Sequence, residues 1–162
     1  MADEHDLGAL ARSIIDRHRY MTLATADATG LPWVSPVWYA AKDHREFFWV
    51  SSPDARHSLN LAVRPQLAIV IFDSNLAGGW EALYMSAVAE EVADVDDAIA
   101  VFTRRSEAQG LPAWTRENVL PPARHRMYRA VASEHFVLDA LDRRQLVSVD
   151  DLSDGPASPS SR

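Results

Sequence analysis

Short runs of apolar and β-forming residues, separated by polar turn sequences, recur along this chain and predict β-strands. The predicted strands are residues 20–26 (YMTLATA), 32–41 (PWVSPVWYAA), 46–52 (EFFWVSS), 66–73 (QLAIVIFD), 81–93 (EALYMSAVAEEVA) and 127–138 (MYRAVASEHFVL). The turn sequences DATG and KDHR separate the first three, which we expect to form a meander. The fourth is apolar at nearly every position, so we expect it to be buried on both faces, at the centre of a sheet or beneath a partner.

Helical spacing of apolar residues occurs in three places. The first predicted helix contains LGALARSII and ends near Arg19. A short second helix lies within SSPDARHSLNLAVRP and is closed by Pro65, and a third follows Asp94, its predicted N-cap, and ends near Gly110. Residues 111–125 are rich in proline and predict a loop.

These elements indicate one domain over residues 1–150 with a mainly β (α+β) fold. Six strands in near-sequential order, with a few flanking helices, predict a six-stranded antiparallel barrel rather than a doubly wound sheet. A chain of 162 residues is long enough to bury one good core. Residues 151–162 (DLSDGPASPSSR) have the composition of a disordered tail.

Composition excludes several classes of function. The chain has no cysteine, so it has no disulfide, thiolate nucleophile or cysteine-based metal site. Its net charge of −7, without a run of Lys and Arg, argues against nucleic-acid and membrane-surface partners. No apolar stretch is long enough to span a bilayer, and the N-terminal sequence MADEHDLGAL is acidic and lacks an apolar core, so we expect a cytoplasmic protein.

Familiar catalytic motifs are absent from the sequence, including GxGxxG, the P-loop, HExxH and GxSxG. The six histidines are scattered without metal-ligand spacing, so we predict no metal site. Glu90 and Glu91 are neighbours in a predicted strand and therefore face opposite ways. No catalytic residue can be assigned from these patterns, as expected where a cofactor carries the chemistry.

Two basic residues, Arg56 and His57, open the short second helix. Cations at a helix start normally oppose the helix dipole. The arrangement becomes favourable if an anion binds there, because free N–H groups and cations then point at the same charge. Three tryptophans in the neighbouring strands, Trp33, Trp38 and Trp49, could wall a planar ring or could be core aromatics.

The segments TLATADATGLPWVSPVWYAA, EFFWVSS, ARHSLNLAVRPQLAIVIFD and AVAEEV resemble the pyridoxamine 5'-phosphate oxidase-like FMN-binding split-barrel family, over residues 14–138. The resemblance implies a split β-barrel. It places contacts to the flavin ring and ribityl chain on Ser35, Pro36, Val37, Trp38, Val50 and Ser51. It places contacts to the FMN phosphate on Arg56 and His57. His57 stands where the family usually has lysine. Asn60, Leu61 and Pro65 match the continuation of the family's helix.

The sequence departs from the oxidases proper at positions that serve their substrate. Ser35 and Ala40 stand where those enzymes have basic residues, and Ala82 replaces a glutamine. The positions aligned with their substrate-phosphate tyrosine and arginine are about Val101 and Glu107. Because a glutamate repels phosphate, pyridoxamine phosphate itself is not the expected substrate.

The resemblance therefore implies an FMN-dependent oxidoreductase that acts by hydride transfer on a small organic substrate. It also implies a homodimer with the cofactor sites at the interface. Two alternatives stay open. The first is an F420-dependent reductase of the same superfamily, and the second is a non-catalytic dimeric module that binds flavin or haem.

Overall fold

A computed structural model describes residues 4–73, 81–139 and 141–150. The helices are α1 (Glu4–Arg17), α2 (Arg56–Val63), α3 (Asp96–Ala108) and α4 (Arg116–Val119). The strands are β1 (Tyr20–Ala26), β2 (Pro32–Trp38), β3 (Ala40–Lys42), β4 (Glu46–Ser51), β5 (Gln66–Phe72), β6 (Ala82–Glu91), β7 (Arg126–Leu138) and β8 (Arg144–Val147). Within these ranges, no helix is both long and apolar enough to cross a membrane.

The strands form one curled antiparallel sheet in the order β2-β1-β5-β6-β7-β4-β3, with β8 paired to β7. This confirms the predicted mainly β fold with a barrel-like sheet and a few helices. The described strands number eight where six were predicted, because the predicted strand over residues 32–41 is divided into β2 and β3 and the structure adds β8. Only four residues long, β8 gives too little alternation to be recognised in the sequence.

The predicted strand over residues 32–41 is two strands at opposite edges of the sheet. Only Tyr39 separates β2 from β3, yet β2 pairs with β1 at one edge and β3 pairs with β4 at the other. The sheet must therefore curl until its two edges almost meet. The pairing order of the predicted meander is confirmed, since β1 pairs with β2 and β3 pairs with β4, but its second strand is divided at Tyr39 and β4 also pairs with β7.

The concave face of the sheet encloses the main core. Ile14 and Ile15 of α1 are fully buried there against strand residues such as Leu23, Ile69 and Trp49. A second core lies on the convex face, where α3 and α4 pack on β3, β4 and β7. Among the described residues, helices thus cover the convex side of the sheet near β3, β4 and β7 and leave its other strands uncovered there.

Strand β5 is central in the sheet but is buried on one face only. Leu67, Ile69 and Ile71 point into the core, whereas Ala68 and Phe72 on the opposite face are exposed. The described residues do not provide the second cover that the apolar sequence of β5 predicts. The alternative, that a partner covers this face, stays a prediction.

The remaining differences lie in the second half of the chain. The loop predicted over residues 111–125 contains the short helix α4. The N-cap position of α3 is Val95 rather than Asp94, although the Asp94 carboxylate accepts a 3.4 Å hydrogen bond from the Asp96 N–H. The predicted turn at residues 74–79 and the predicted tail at residues 151–162 lie outside the described residues.

Gly8 allows close packing between α1 and the segment after β8. A Cβ atom added to Gly8 would lie 2.6 Å from the backbone oxygen of Ser148, which is too close for a normal contact. We expect Gly8→Ala to destabilise the protein by about 1–3 kcal/mol, the usual cost of overpacking, although alanine normally favours a helix. The measurement is the midpoint of urea unfolding. Ser13→Ala, on the exposed face of the same helix, is the control and should be neutral or slightly stabilising; equal behaviour of the two variants would contradict this contact.

Candidate functional site

The imidazole of His57 joins two predicted site residues from separate strands. Its Nε2 lies 2.8 Å from the Ser51 hydroxyl at the end of β4, and its Nδ1 lies 3.2 Å from the Ser35 hydroxyl in β2. The ring is buried, with 9% of the residue exposed. His57 therefore bridges β2 and β4, two strands that do not hydrogen-bond to each other in the sheet.

Burial lowers the pKa of His57, because transfer away from water disfavours the charged ring. A neutral imidazole has one donor nitrogen and one acceptor nitrogen. The two serine hydroxyls can each donate or accept, so they satisfy the ring in either tautomer. The structure thus gives His57 the geometry of an orienting group for Ser35 and Ser51, whereas the sequence predicted a second phosphate cation beside Arg56.

Arg56 points away from His57, because consecutive residues of a helix are rotated by about 100°. Its guanidinium lies over the Trp33 ring, 4.4 Å from the ring centre, and the side chain is otherwise exposed. The Trp33 indole N–H donates to the Ser35 hydroxyl at 3.0 Å. Trp33 therefore connects the arginine to the Ser35 and His57 pair. From the sequence, Trp33 could equally be a ring wall or a core aromatic; its position two residues before Ser35 places both on one face of β2.

The start of α2 lacks the capping groups that usually complete a helix. Its N-cap is Ala55, which makes no side-chain hydrogen bond, and its first turn holds no acidic residue. Helix α4, by comparison, has a Thr115 and Asn118 capping box. Alanine is among the poorest N-cap residues because it offers no acceptor to the first-turn N–H groups. An anion bound here would supply that acceptor next to Arg56.

Asn60, one turn further along α2, fixes the helix on the sheet. Its amide donates to the Thr25 hydroxyl of β1 at 3.0 Å, and that hydroxyl donates in turn to the Trp33 carbonyl at 3.3 Å. Both side chains are buried. This contact holds the start of α2 at a constant distance from β2, so Asn60 has a positioning role.

The other predicted contacts divide between the two faces of the sheet. Val37 points into the main core, whereas Pro36 is exposed on the opposite face. Trp38 and Val50 also face the convex side, where they line a cavity of about 340 Å³ with α3. The structure therefore brings Ser35, Ser51, Arg56 and His57 together on one side and places Trp38 and Val50 in a separate cavity.

Histidines elsewhere in the described part of the chain make ordinary contacts. His44 pairs with Asp16 at 3.1 Å on the surface, and buried His135 hydrogen-bonds to the His44 carbonyl at 2.9 Å. Burial lowers the pKa of His135. Over residues 4–73, 81–139 and 141–150, no three His, Asp or Glu side chains come together as a metal site would require.

A family model described as pyridoxamine 5'-phosphate oxidase matches residues 7–137 of this chain. The pyridoxine/pyridoxamine 5'-phosphate oxidase of Bordetella avium (strain 197N) is 31% identical over 107 residues, which cover 64% of this chain and 48% of that protein. The chain thus spans about half the length of that curated relative.

Solved structures of proteins that are named for different ligands share the fold. A haem-binding protein from Mycobacterium smegmatis superposes with a TM-score of 0.69 and 21% identity, over 88% of this chain and 57% of that one. An F420 reductase superposes with a TM-score of 0.57 and 18% identity, over 76% of this chain and 94% of that one. At these identities the likeness shows the split-barrel fold alone.

The buried state of His57 predicts an acid sensitivity of folding. Since the folded pKa lies below the ordinary value of 6.5, the unfolded chain binds the proton more readily, and the free energy of unfolding should fall as pH drops through 6.5 toward the folded pKa. We expect His57→Gln to lose part of this decline, with buried His135 supplying the remainder. Urea unfolding at a series of pH values measures how the free energy of unfolding depends on pH. His125→Gln, an exposed histidine, controls for the substitution itself. A His57→Gln profile parallel to wild type would contradict the prediction.

Proposed function

This chain belongs to the pyridoxamine 5'-phosphate oxidase family, and we propose that it is an FMN-dependent oxidoreductase that transfers hydride to or from a small organic substrate. The observation that carries the proposal is the start of α2. There, uncapped first-turn N–H groups and the exposed guanidinium of Arg56 lie within one turn of each other. This is the donor set that a phosphate monoester requires.

The phosphate would be held mainly by Arg56 and the α2 backbone. A guanidinium is always charged and can bond two phosphate oxygens at once. Its resting position over Trp33 keeps it near the helix start, so little side-chain freedom would be lost on binding. His57, the second predicted phosphate contact, would in this arrangement act indirectly, through the Ser35 and Ser51 hydroxyls that its ring holds.

The serine hydroxyls and the neighbouring strand would orient the ring system. When bound, FMN supplies reversible two-electron chemistry in the form of hydride transfer. Ser35 and Ser51 carry hydroxyls whose directions are set by His57, and such fixed dipoles stabilise charge that develops at the polar edge of a reduced ring. The predicted ring contacts at Pro36, Val37, Trp38 and Val50 belong to the same proposal.

The substrate would not be a vitamin B6 phosphate. Val101, aligned with the substrate tyrosine of the oxidases proper, is buried in the convex core, and Glu107 is exposed on α3. Neither residue can neutralise a phosphate. Ala40 is likewise fully buried and uncharged. These positions favour a substrate with a different polar group, or with none.

We also propose that the active form is a homodimer, with the cofactor sites at its interface. Large apolar side chains are exposed along the convex face of β5, β6, β7 and β8, including Phe72, Val88, Val131 and Leu146. Val88 and Val131 are paired across neighbouring strands, with 53% and 44% of each residue exposed. An exposed apolar face of this kind is typical of a protein interface.

Solved structures of the same fold include a haem-binding protein and an F420 reductase, one for each alternative cofactor. F420 has a long anionic tail, which would need more basic residues than Arg56 provides at the start of α2. Haem would require an axial ligand, for which exposed His125 is a candidate. An absorption spectrum of the purified protein, followed by heat release of its cofactor, separates flavin, deazaflavin and haem. Released FMN would support the proposal, and a Soret band would overturn it.

Replacement of Arg56 tests the phosphate site directly. We expect Arg56→Ala to weaken FMN binding by roughly 10- to 100-fold, because a charged hydrogen bond contributes about 1.5–3 kcal/mol. The FMN affinity of Arg56→Lys should lie between those of the wild type and Arg56→Ala, since an ammonium keeps the charge but not the bidentate geometry. Isothermal titration of the apoprotein with FMN measures the affinity.

Riboflavin, which lacks the phosphate, is the matched ligand control and should bind all variants with similar affinity. Arg104→Ala removes the same charge from the exposed face of α3 and should leave FMN affinity unchanged. Unchanged FMN affinity in Arg56→Ala would remove this residue from the site.

A charge on the convex face tests the dimer. Val88→Glu would place a carboxylate opposite Val131 in the proposed interface, where it would be desolvated on association. We expect a monomer in light scattering after size-exclusion chromatography, together with reduced FMN affinity. Val63→Glu, at an exposed position of α2, is the control and should remain dimeric. If Val88→Glu is as dimeric as the wild type, the interface lies elsewhere.

A further inference from the structure

The convex face of β6, β7 and β8 carries one acidic and one basic side chain that lack an ion-pair partner. Glu134 lies opposite Ser86 in the pairing of β6 and β7, so the two side chains share the exposed face of the sheet. Arg144 of β8 reaches the same face, because its guanidinium lies over the Tyr84 ring, 4.3 Å from the ring centre. Both residues are exposed, and neither forms a salt bridge within the part of the chain that the structure describes.

Another charged residue of this face, Arg129, is already neutralised within the chain. Its guanidinium lies 3.2 Å from the Glu46 carboxylate and 2.6 Å from the Glu90 carboxylate. Association through this face could therefore bury Arg129 with its countercharges in place. It would leave Glu134 and Arg144 as desolvated single charges, which is strongly unfavourable unless the opposite surface supplies a partner for each.

Apolar side chains surround the two unpaired charges. Phe136 and Leu146 pair across β7 and β8, and Val88 and Val131 pair across β6 and β7. Phe136 and Arg144 also line a cavity of about 290 Å³, just below the usual size of small-molecule pockets. A cavity of this size can receive a few side chains but not a flavin, so a protein surface is the fitting occupant.

We propose that this surface is the same face of a second copy of the chain, in which Glu134 of each subunit pairs with Arg144 of the partner subunit. In a twofold interface residue i contacts residue j and j contacts i, so a face with one free acid and one free base is complementary to itself. The inference rests on the proposed function, because it specifies the homodimer named there. The two symmetric pairs fix the register of the subunits, while the apolar side chains around them exclude water.

Reversal of either charge tests the pairing. Glu134→Arg places two guanidinium groups against each other in both contacts, and Arg144→Glu places two carboxylates there. We expect each variant to raise the dissociation constant of the dimer by roughly 100-fold or more, because like charges facing each other in an interface are strongly repulsive. Sedimentation equilibrium measures the constant. Both positions are exposed, so both variants should fold, which urea unfolding checks.

A mixture of the two reversed variants is the decisive sample. In a heterodimer of Glu134→Arg with Arg144→Glu, each of the two contacts again joins an acid to a base. We expect the heterodimer to be the main species in native mass spectrometry, with a dissociation constant close to that of the wild type. Recovery of the dimer in the double variant Glu134→Arg/Arg144→Glu without recovery in the mixture would show pairing within one chain and would overturn the inference.

Helix α3 offers a matched control pair. Arg104→Glu and Glu107→Arg make the same changes of charge at exposed positions outside the proposed contact. Neither should change the dissociation constant, and their mixture should contain homodimers and heterodimers in random proportion. A random distribution in the mixture of Glu134→Arg with Arg144→Glu would overturn the pairing.

The wild-type mass and FMN titration separate failure of this inference from failure of the proposed function. If the wild type is a dimer that binds FMN and the charge reversals leave it intact, the pairing is wrong and the proposed function stands. If the wild type is a monomer that binds FMN, the pairing and the homodimer fail together, whereas the flavin-dependent role stands. If the mixture forms the heterodimer but the protein binds no FMN, the pairing holds and the proposed oxidoreductase fails.

Discussion

A single residue, Tyr39, connects the two edges of the sheet, and this short connection determines the shape of the molecule. Because β2 ends at Trp38 and β3 begins at Ala40, the sheet has to curl until strands at opposite ends of its hydrogen-bonding order lie side by side. Tyr39 is fully buried, and its hydroxyl donates to the Ile15 carbonyl of α1 at 2.8 Å. Burial raises the pKa of that hydroxyl, so it stays a hydrogen-bond donor at any physiological pH.

The candidate site is a product of that curvature. Ser35 and Ser51 belong to β2 and β4, which contact each other only because the sheet is curled, and His57 spans the gap between their hydroxyls. The polar contacts lie on the concave side of this gap, and the cavity lined by Trp38 and Val50 lies on its convex side. The two faces of this gap are therefore of opposite character within one small domain.

Much of the architecture could be predicted because alternation survives wherever one face of a strand is buried, as in β1, which matches its predicted residues 20–26. Alternation alone could not show that the chain changes sheet edge at Tyr39, because the pattern continues across it. Within the site, the adjacency of Arg56 and His57 suggested one shared role. Helical rotation separates them, and the bonds made by the imidazole depend on strands that the sequence cannot place in space.

The bridge made by His57 also ties ligand recognition to the completeness of folding. Ser35 lies on an edge strand, Ser51 ends a strand near the other edge, and α2 connects them only after both are in place. The bridge joins residues only 22 and 6 positions apart in the chain, but it exists only when the curled sheet holds both strands in place. A half-formed sheet would therefore lack the bridge between Ser35 and Ser51, and a ligand held by these hydroxyls would bind only to molecules in which the two edges have met.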